Sequence, residues 1–191
     1  MDAPQHLQAR MALCRPEHQV LTLFMQSLHD TIAKRTGRAV TSAPAAGRGA
    51  PTHHTALEYL RLLHAGASTL ASLLGQSYAS AVEQLSFAAA EPIYSAPVGA
   101  MVMAITGEDP HRGLAVASGF AEATSTFGER DYERLDDTRA RLRFRDELFG
   151  PAWTRGMMRR GLVRTSPGRR FHVELESGEA PFKDFTLLVH W

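Results

Sequence analysis

The sequence predicts an α+β protein in which an N-terminal helical layer packs on a C-terminal four-stranded antiparallel sheet of ββαββ order. Three observations predict it. In Arg139-Ala140-Arg141-Leu142-Arg143-Phe144-Arg145 every second residue is Arg and those between are apolar, the period-two pattern of a strand with one buried face. Two later runs alternate in the same way: Phe171, Val173 and Leu175, then Phe185, Leu187, Val189 and Trp191. Upstream of residue 129 the apolar residues instead recur at helical spacing, and the oily side of such a sheet needs a helical cover.

Taken in order, residues 1–17 are polar with Pro4 and Pro16 and are expected to form a loose tail. Over residues 18–37, Leu21, Phe24, Leu28 and Ile32 make one helical stripe that Gly37 stops. Residues 38–54, with Pro44, Gly47, Gly49 and Pro51, have neither period nor bulk and read as a flexible connection. The helical layer occupies 55–126. Leu57, Leu60, Leu63, Leu70, Leu73 and Leu74 form one helix ending near Gly75, and Tyr78, Val82, Leu85 and Ala89 form a second, stopped before Pro92. Residues 97–106 are apolar all round, which predicts a short buried helix. Asp109-Pro110 starts the next, and Leu114 and Phe120 carry it towards the sheet.

The sheet unit spans 129–191. A three-residue turn at Asp136-Asp137-Thr138 sets Glu133 against Arg141, Asp131 against Arg143 and Glu129 against Arg145, with Tyr132 opposite Leu142. That register puts opposite charges together on one face and apolar groups on the other. Gly150-Pro151 opens a helix in which Trp153 and Met157 form the apolar stripe and Arg155 and Arg159 face outward; Gly161 and Ser166-Pro167-Gly168 end it.

At 191 residues the chain is expected to be a single domain with a sizeable core. Hydrophobic content of 44% with a net charge of +1 gives no global reason to expect nucleic acid or an anionic membrane as partner. One cysteine, Cys14, rules out an internal disulfide and a cysteine-based zinc site. No apolar run reaches membrane-spanning length, so the expected compartment is the cytoplasm.

Residues 55–191 also carry Pro97-Val98-Gly99 leading into an apolar helix, Thr106-Gly107-Glu108-Asp109-Pro110-His111-Arg112, Thr126-Phe127-Gly128-Glu129-Arg130, Gly156 inside the short helix, and a closing strand at Trp191. On these residues the chain resembles a paralogous family of uncharacterised myxobacterial proteins. More distantly, the order of elements looks like the haem-nitric oxide/oxygen-binding domains and the related vinyl-reductase-like ligand-binding domains. In the haem domains a His near the start of a helix ligates iron, which the resemblance places at His111. Their Tyr-x-Ser-x-Arg pattern, which holds the haem propionates, falls here on Phe144, Asp146 and Leu148. An acidic and an apolar residue thus replace groups that would bond carboxylates.

No cofactor is therefore expected from the residues themselves, and haem through His111 is the alternative that the resemblance implies. Beside it stands the plainer reading of His111 as a surface residue in a first helical turn. His53, His54 and His64 lack a carboxylate or thiol at ligand spacing, so no metal site is expected. Cys14 lies beside Arg15 and His18, which would lower a thiol pKa, but no third orienting group accompanies it. The Arg-rich face resembles a nucleic-acid surface, yet the register neutralises it and aromatic residues are scarce there.

The function expected is a non-enzymatic sensory or interaction module with a small apolar or amphipathic ligand between helices and sheet. Met101, Met103, Phe144, Trp153 and Met157 are the adaptable and aromatic residues expected around it. Core filling by the same residues, a small-molecule enzyme without a recognisable motif, and a protein-interaction or homodimerisation domain are the competing readings.

Overall fold

The computed structural model describes residues 3–38 and 51–191. Its elements run α1 (Pro4–Ala12), β1 (Gln19–Leu21), α2 (Thr22–Thr36), β2 (His53–Thr55), α3 (Ala56–Leu74), α4 (Tyr78–Ser95), α5 (Pro97–Thr106), α6 (Pro110–Thr124), β3 (Glu129–Arg134), β4 (Arg139–Arg145), α7 (Pro151–Thr165), β5 (His172–Gly178) and β6 (Phe185–His190). The last four strands form one antiparallel sheet of order β3-β4-β6-β5. Helices precede it in sequence and cover it, as the fold class requires.

The hairpin of β3 and β4 has the register that charge alternation demands: Glu133 opposite Arg141, Asp131 opposite Arg143, Glu129 opposite Arg145 and Tyr132 opposite Leu142. On the outer face Arg141 binds Glu133 and Glu176, Arg143 binds Glu133, and Arg145 binds Glu129 and Asp131. A slip of one residue would exchange this face with the one carrying Ala140, Leu142 and Phe144, all buried, so burial and charge select the same pairing.

Two apolar clusters result. Residues of α2, α3, α4 and α7 make the larger, around Leu28, Tyr59, Leu63, Leu85 and Trp153; the sheet with Leu114 of α6 and Leu162 of α7 makes the smaller. Helix α7 lies against α4 at very short range, because a Cβ on Gly156 would come within 2.4 Å of the Glu83 carbonyl oxygen. Leu114 meets the sheet as the pattern predicts, whereas the Phe120 side chain lies outside the described residues.

Several expectations are corrected. The N-terminal segment is not a loose tail, since α1 buries Leu7 and Arg10. Helix α2 begins at Thr22 and not at residue 18, because Gln19–Leu21 pairs with His53–Thr55 as a small ladder. That second strand occupies the end of the expected connection; residues 39–50 of it lie outside the described residues.

Helix α4 runs through Pro92 to Ser95. An interior Pro costs about 3 kcal/mol, but the continuation buries Ile93 and Tyr94, each contributing roughly 1.5–3 kcal/mol when removed from water. Helix α7 likewise passes Gly161, whose missing side chain admits the Tyr94 ring. Arg155 and Arg159 do not merely face outward, for both bind Glu83 of α4. Helix α5 is not buried all round: Met101 and Ile105, one turn apart, are 59% and 55% exposed.

Candidate functional site

Where the helical layer meets the sheet, packing is incomplete. A cavity of about 120 Å³ lies between α4, α5, α6, α7 and β4. Its wall includes Tyr94, Val102 and Met103, then Gly113, Leu114 and Ala117 of α6, then Leu142 and Phe144 of the sheet, and Trp153, Met157, Met158 and Leu162 of α7. The small residues Gly113 and Ala117 hold α6 from filling the space, and the sheet's inner face forms the wall on the other side. A cavity of this size admits several waters or a compact ligand such as a substituted benzene.

Most polar groups in the wall are already engaged with backbone. Thr154 donates to the Gly150 carbonyl at 2.9 Å, Thr165 to that of Leu162 at 3.2 Å, and Tyr94 to that of Met157 at 3.4 Å. Burial pushes the Tyr94 phenol up to about 12, against a smaller opposing effect of Arg164. The folded state thus favours the neutral phenol, and that stability is fully present below pH 10 and lost as pH rises through about 12. In an alkaline absorbance titration the Tyr94 phenol is therefore expected to ionise near pH 12 or with unfolding, and Tyr94→Phe to flatten the loss of stability between pH 10 and 12. Ionisation of Tyr94 near 10 in the folded protein would contradict this.

The charged pair of the wall is Arg130 of β3 with Glu147 of the β4–α7 connection. Their side chains are 6% and 1% exposed and meet at 2.6 Å. Both Nε and Nη2 of Arg130 donate to Oε2 of Glu147, and Oε1 accepts from the Phe149 amide at 3.0 Å. This pair did not figure among the expected site residues. Alternation does place Arg130 on the inner side, opposite Phe144, but a lone inward Arg at a strand's beginning reads as frayed edge unless a buried carboxylate is known to meet it.

Of the residues expected around a ligand, Met103, Phe144, Trp153 and Met157 are brought together at the cavity, and Met101 is not, because it occupies the outer face of α5. His111 is neither a surface residue nor part of the cavity wall. It is 8% exposed, its Nδ1 lies 2.7 Å from the Tyr132 hydroxyl, and its ring meets Trp191 edge-on with centroids 4.7 Å apart. Among the described residues, those of α6 that line the cavity are Gly113, Leu114, Ala117, Ser118 and Thr124, none of them an iron ligand.

His64 bonds the Tyr78 hydroxyl, and His53 and His54 sit in β2. Among the described residues no three His, Cys, Asp or Glu side chains converge as a metal site would need. Burial pushes the Cys14 thiol up, with Arg61 opposing it in part, which is the reverse of activation. No helix among the described residues is long and apolar enough by itself to cross a membrane.

The same overall fold is found in solved H-NOX, or haem-nitric oxide/oxygen-binding, proteins. The chain is similar to the Fe(II) unliganded H-NOX protein of K. algicida, with a TM-score of 0.60 at 12% identity, covering 88% of this chain and 94% of that one. It is also similar to the S. oneidensis H-NOX protein in the Fe(II)NO state, with a TM-score of 0.53 at 10% identity, covering 88% of this chain and 97% of the other. At such identity the likeness establishes the fold alone. No curated protein matches the chain by sequence. By sequence the chain belongs to the DUF2378 family, described as proteins of unknown function, which matches residues 13–191.

Proposed function

We propose that this protein is a non-enzymatic sensory module that takes up a small apolar or amphipathic ligand between its helical layer and its sheet. The observation that carries the reading is the cavity at that junction, walled mainly by apolar side chains and by flexible methionines that can adapt to an occupant. Its position between layers supports a sensory role, since an occupant would touch α6, α7 and the sheet at once and favour one arrangement of them over another. The H-NOX fold of its neighbours supports the same class of function.

A direct test uses propylbenzene, a neutral substituted benzene, in isothermal titration calorimetry. Saturable binding at one ligand per chain is expected, weakened at least about tenfold in Ala117→Phe, which fills the cavity from α6. Wild-type protein without saturable binding, together with native mass spectra free of any adduct, would sink the reading.

Haem is the second reading, favoured by the fold likeness. His111 is not among the residues lining the cavity and its ring lies against Tyr132 and Trp191, while its Nε2 has no hydrogen-bond partner among the described residues. Hemin titration followed by absorbance separates the two. A one-to-one Soret band lost in His111→Ala would establish haem ligation, whereas the cavity reading expects that variant to bind propylbenzene as wild type does.

A further inference from the structure

We propose that His172 and His190 form a surface site for one exchangeable divalent ion of the zinc class, on the face of the sheet turned away from the cavity. The site does not depend on the reading of the cavity.

His172 of β5 and His190 of β6 are Cα partners in the antiparallel ladder. Their chain neighbours Val173 and Val189 are buried, so strand alternation sends both imidazoles to the outer face. Directly opposite side chains on one face leave the backbone about 4.5–5.5 Å apart at Cβ. The two ring centroids are 5.0 Å apart and the ring planes are tilted by 39°. An imidazole nitrogen binds zinc at about 2.0–2.1 Å, which sets each ring centre roughly 3.2 Å from the ion and the centres of two rings that share it tetrahedrally about 5 Å apart. The rings therefore already stand at the separation of a chelating pair.

The charges of this face favour a cation at the same place. Glu129, Asp131, Glu133 and Glu176 are each bound by an arginine of β4. Among the described residues no arginine holds Glu174, whose carboxylate lies 3.9 Å from His190 Nε2. Arg139, opposite His190 on the other side of the ladder, is engaged by Asp136 at 2.6 Å. An ion at the histidine pair thus meets a carboxylate that no arginine has claimed and a guanidinium that already has its counter-charge.

A permanent zinc centre takes three or four protein donors, and no such set converges among the described residues. Two imidazoles, with water in the other positions, make an exchangeable site instead. Imidazole donors select Zn²⁺, Ni²⁺ or Cu²⁺ over Mg²⁺ and Ca²⁺. Strand β5 lies at the end of the sheet, pairs only with β6 and carries a register shift between Leu175 and Ser177. An ion shared by His172 and His190 pins that edge strand to its neighbour.

The experiment titrates Zn²⁺ into the protein by isothermal titration calorimetry and compares unfolding temperatures with and without it. Wild type is expected to bind one Zn²⁺ per chain and to unfold at a higher temperature in its presence, while Mg²⁺ changes neither. In His172→Ala and in His190→Ala the affinity is expected to fall at least about tenfold, since each leaves a single donor where two acted as a chelate, and the thermal shift to disappear. Both side chains are on the outer face, so these variants leave the core as it is, and near-UV circular dichroism verifies that. His53→Ala/His54→Ala, which removes the adjacent histidines of β2, is expected to bind Zn²⁺ as wild type does.

Zn²⁺ binding that survives both single substitutions, or that is lost in His53→Ala/His54→Ala, places the ion elsewhere and overturns the site. A wild-type protein that takes up no Zn²⁺ reduces the pair to two imidazoles in ring contact and overturns it as well. Each of these results leaves the binding of propylbenzene, and with it the cavity reading, unaffected.

Discussion

Gly156→Ala is expected to lower the unfolding free energy by about 3 kcal/mol, at the upper end of overpacking costs. The added methyl would come within 1.8 Å of Ser86 Oγ, 2.4 Å of the Glu83 carbonyl oxygen and 2.9 Å of the Phe87 amide nitrogen. Ser86 could turn aside. Two of the three obstacles are backbone of α4, so α7 would have to retreat along a seam that Glu83 ties with Arg155 and Arg159 at one end and Glu91 ties with Arg160 and Arg164 at the other. The control is Gly119→Ala on α6, where nothing among the described residues lies within 4 Å and a gain of about 0.5–1 kcal/mol in helix propensity is expected. Urea midpoints at unchanged slope decide the matter. If the two variants shift the midpoint alike, the α4–α7 approach is looser than the geometry states.

Arg10→Met is expected to cost a comparable amount, about 3 kcal/mol or more, although it replaces one long side chain by another of good helix propensity. Arg10 is 1% exposed and donates to three carbonyls of distant segments: Leu148 from Nε at 3.0 Å, Phe149 from Nη2 at 3.3 Å and Pro181 from Nη1 at 2.6 Å. It thereby clamps α1 to the entry of α7 and to the turn before β6. Loss of the guanidinium removes charge-assisted bonds and leaves buried carbonyl oxygens short of a donor. Arg10→Lys is not expected to restore stability, because a single ammonium cannot reproduce the fork that reaches three carbonyls on two segments. Arg134→Met, which breaks an exposed pair with Asp137, is expected to stay within about 0.5 kcal/mol. Equal midpoints for Arg10→Met and Arg134→Met would show α1 to be a passive appendage.

The sheet was legible because two independent signals agreed. Charge alternation and apolar alternation each favour one register, and a one-residue error would violate both across the Glu133–Arg141 and Tyr132–Leu142 pairs. Helix stops at Gly37 and Gly75 were equally plain, since both adopt positive φ as helix-terminating residues. Pro92 and Gly161 misled because local breaker signals carry a few kcal/mol at most. Burial of Ile93, Tyr94 and Leu162 outweighs them, and burial depends on partners far along the chain.

At the cavity the apolar residues were legible and the polar ones were not. Methionines and aromatics near Phe144 and Trp153 follow from the inward parity of β4 and the stripe of α7. Met101 was misplaced because a helix apolar all round does not disclose which face finds a neighbour. Arg130 and Glu147 lie 17 residues apart, and their pairing becomes visible only once β3 and the segment after β4 lie side by side.

By itself the sequence determined the elements of the sheet unit, the register of its first hairpin and which face of it is oily, because those depend on neighbours close along the chain and on residue chemistry repeated many times. Tertiary structure alone decided the buried role of α1, the side of α5 left bare, the turning of His111 towards Tyr132 and Trp191, and the buried pair in the cavity wall. Each of these turns on one contact between segments remote in the chain, and a single residue leaves no period in the sequence from which its partner could be read.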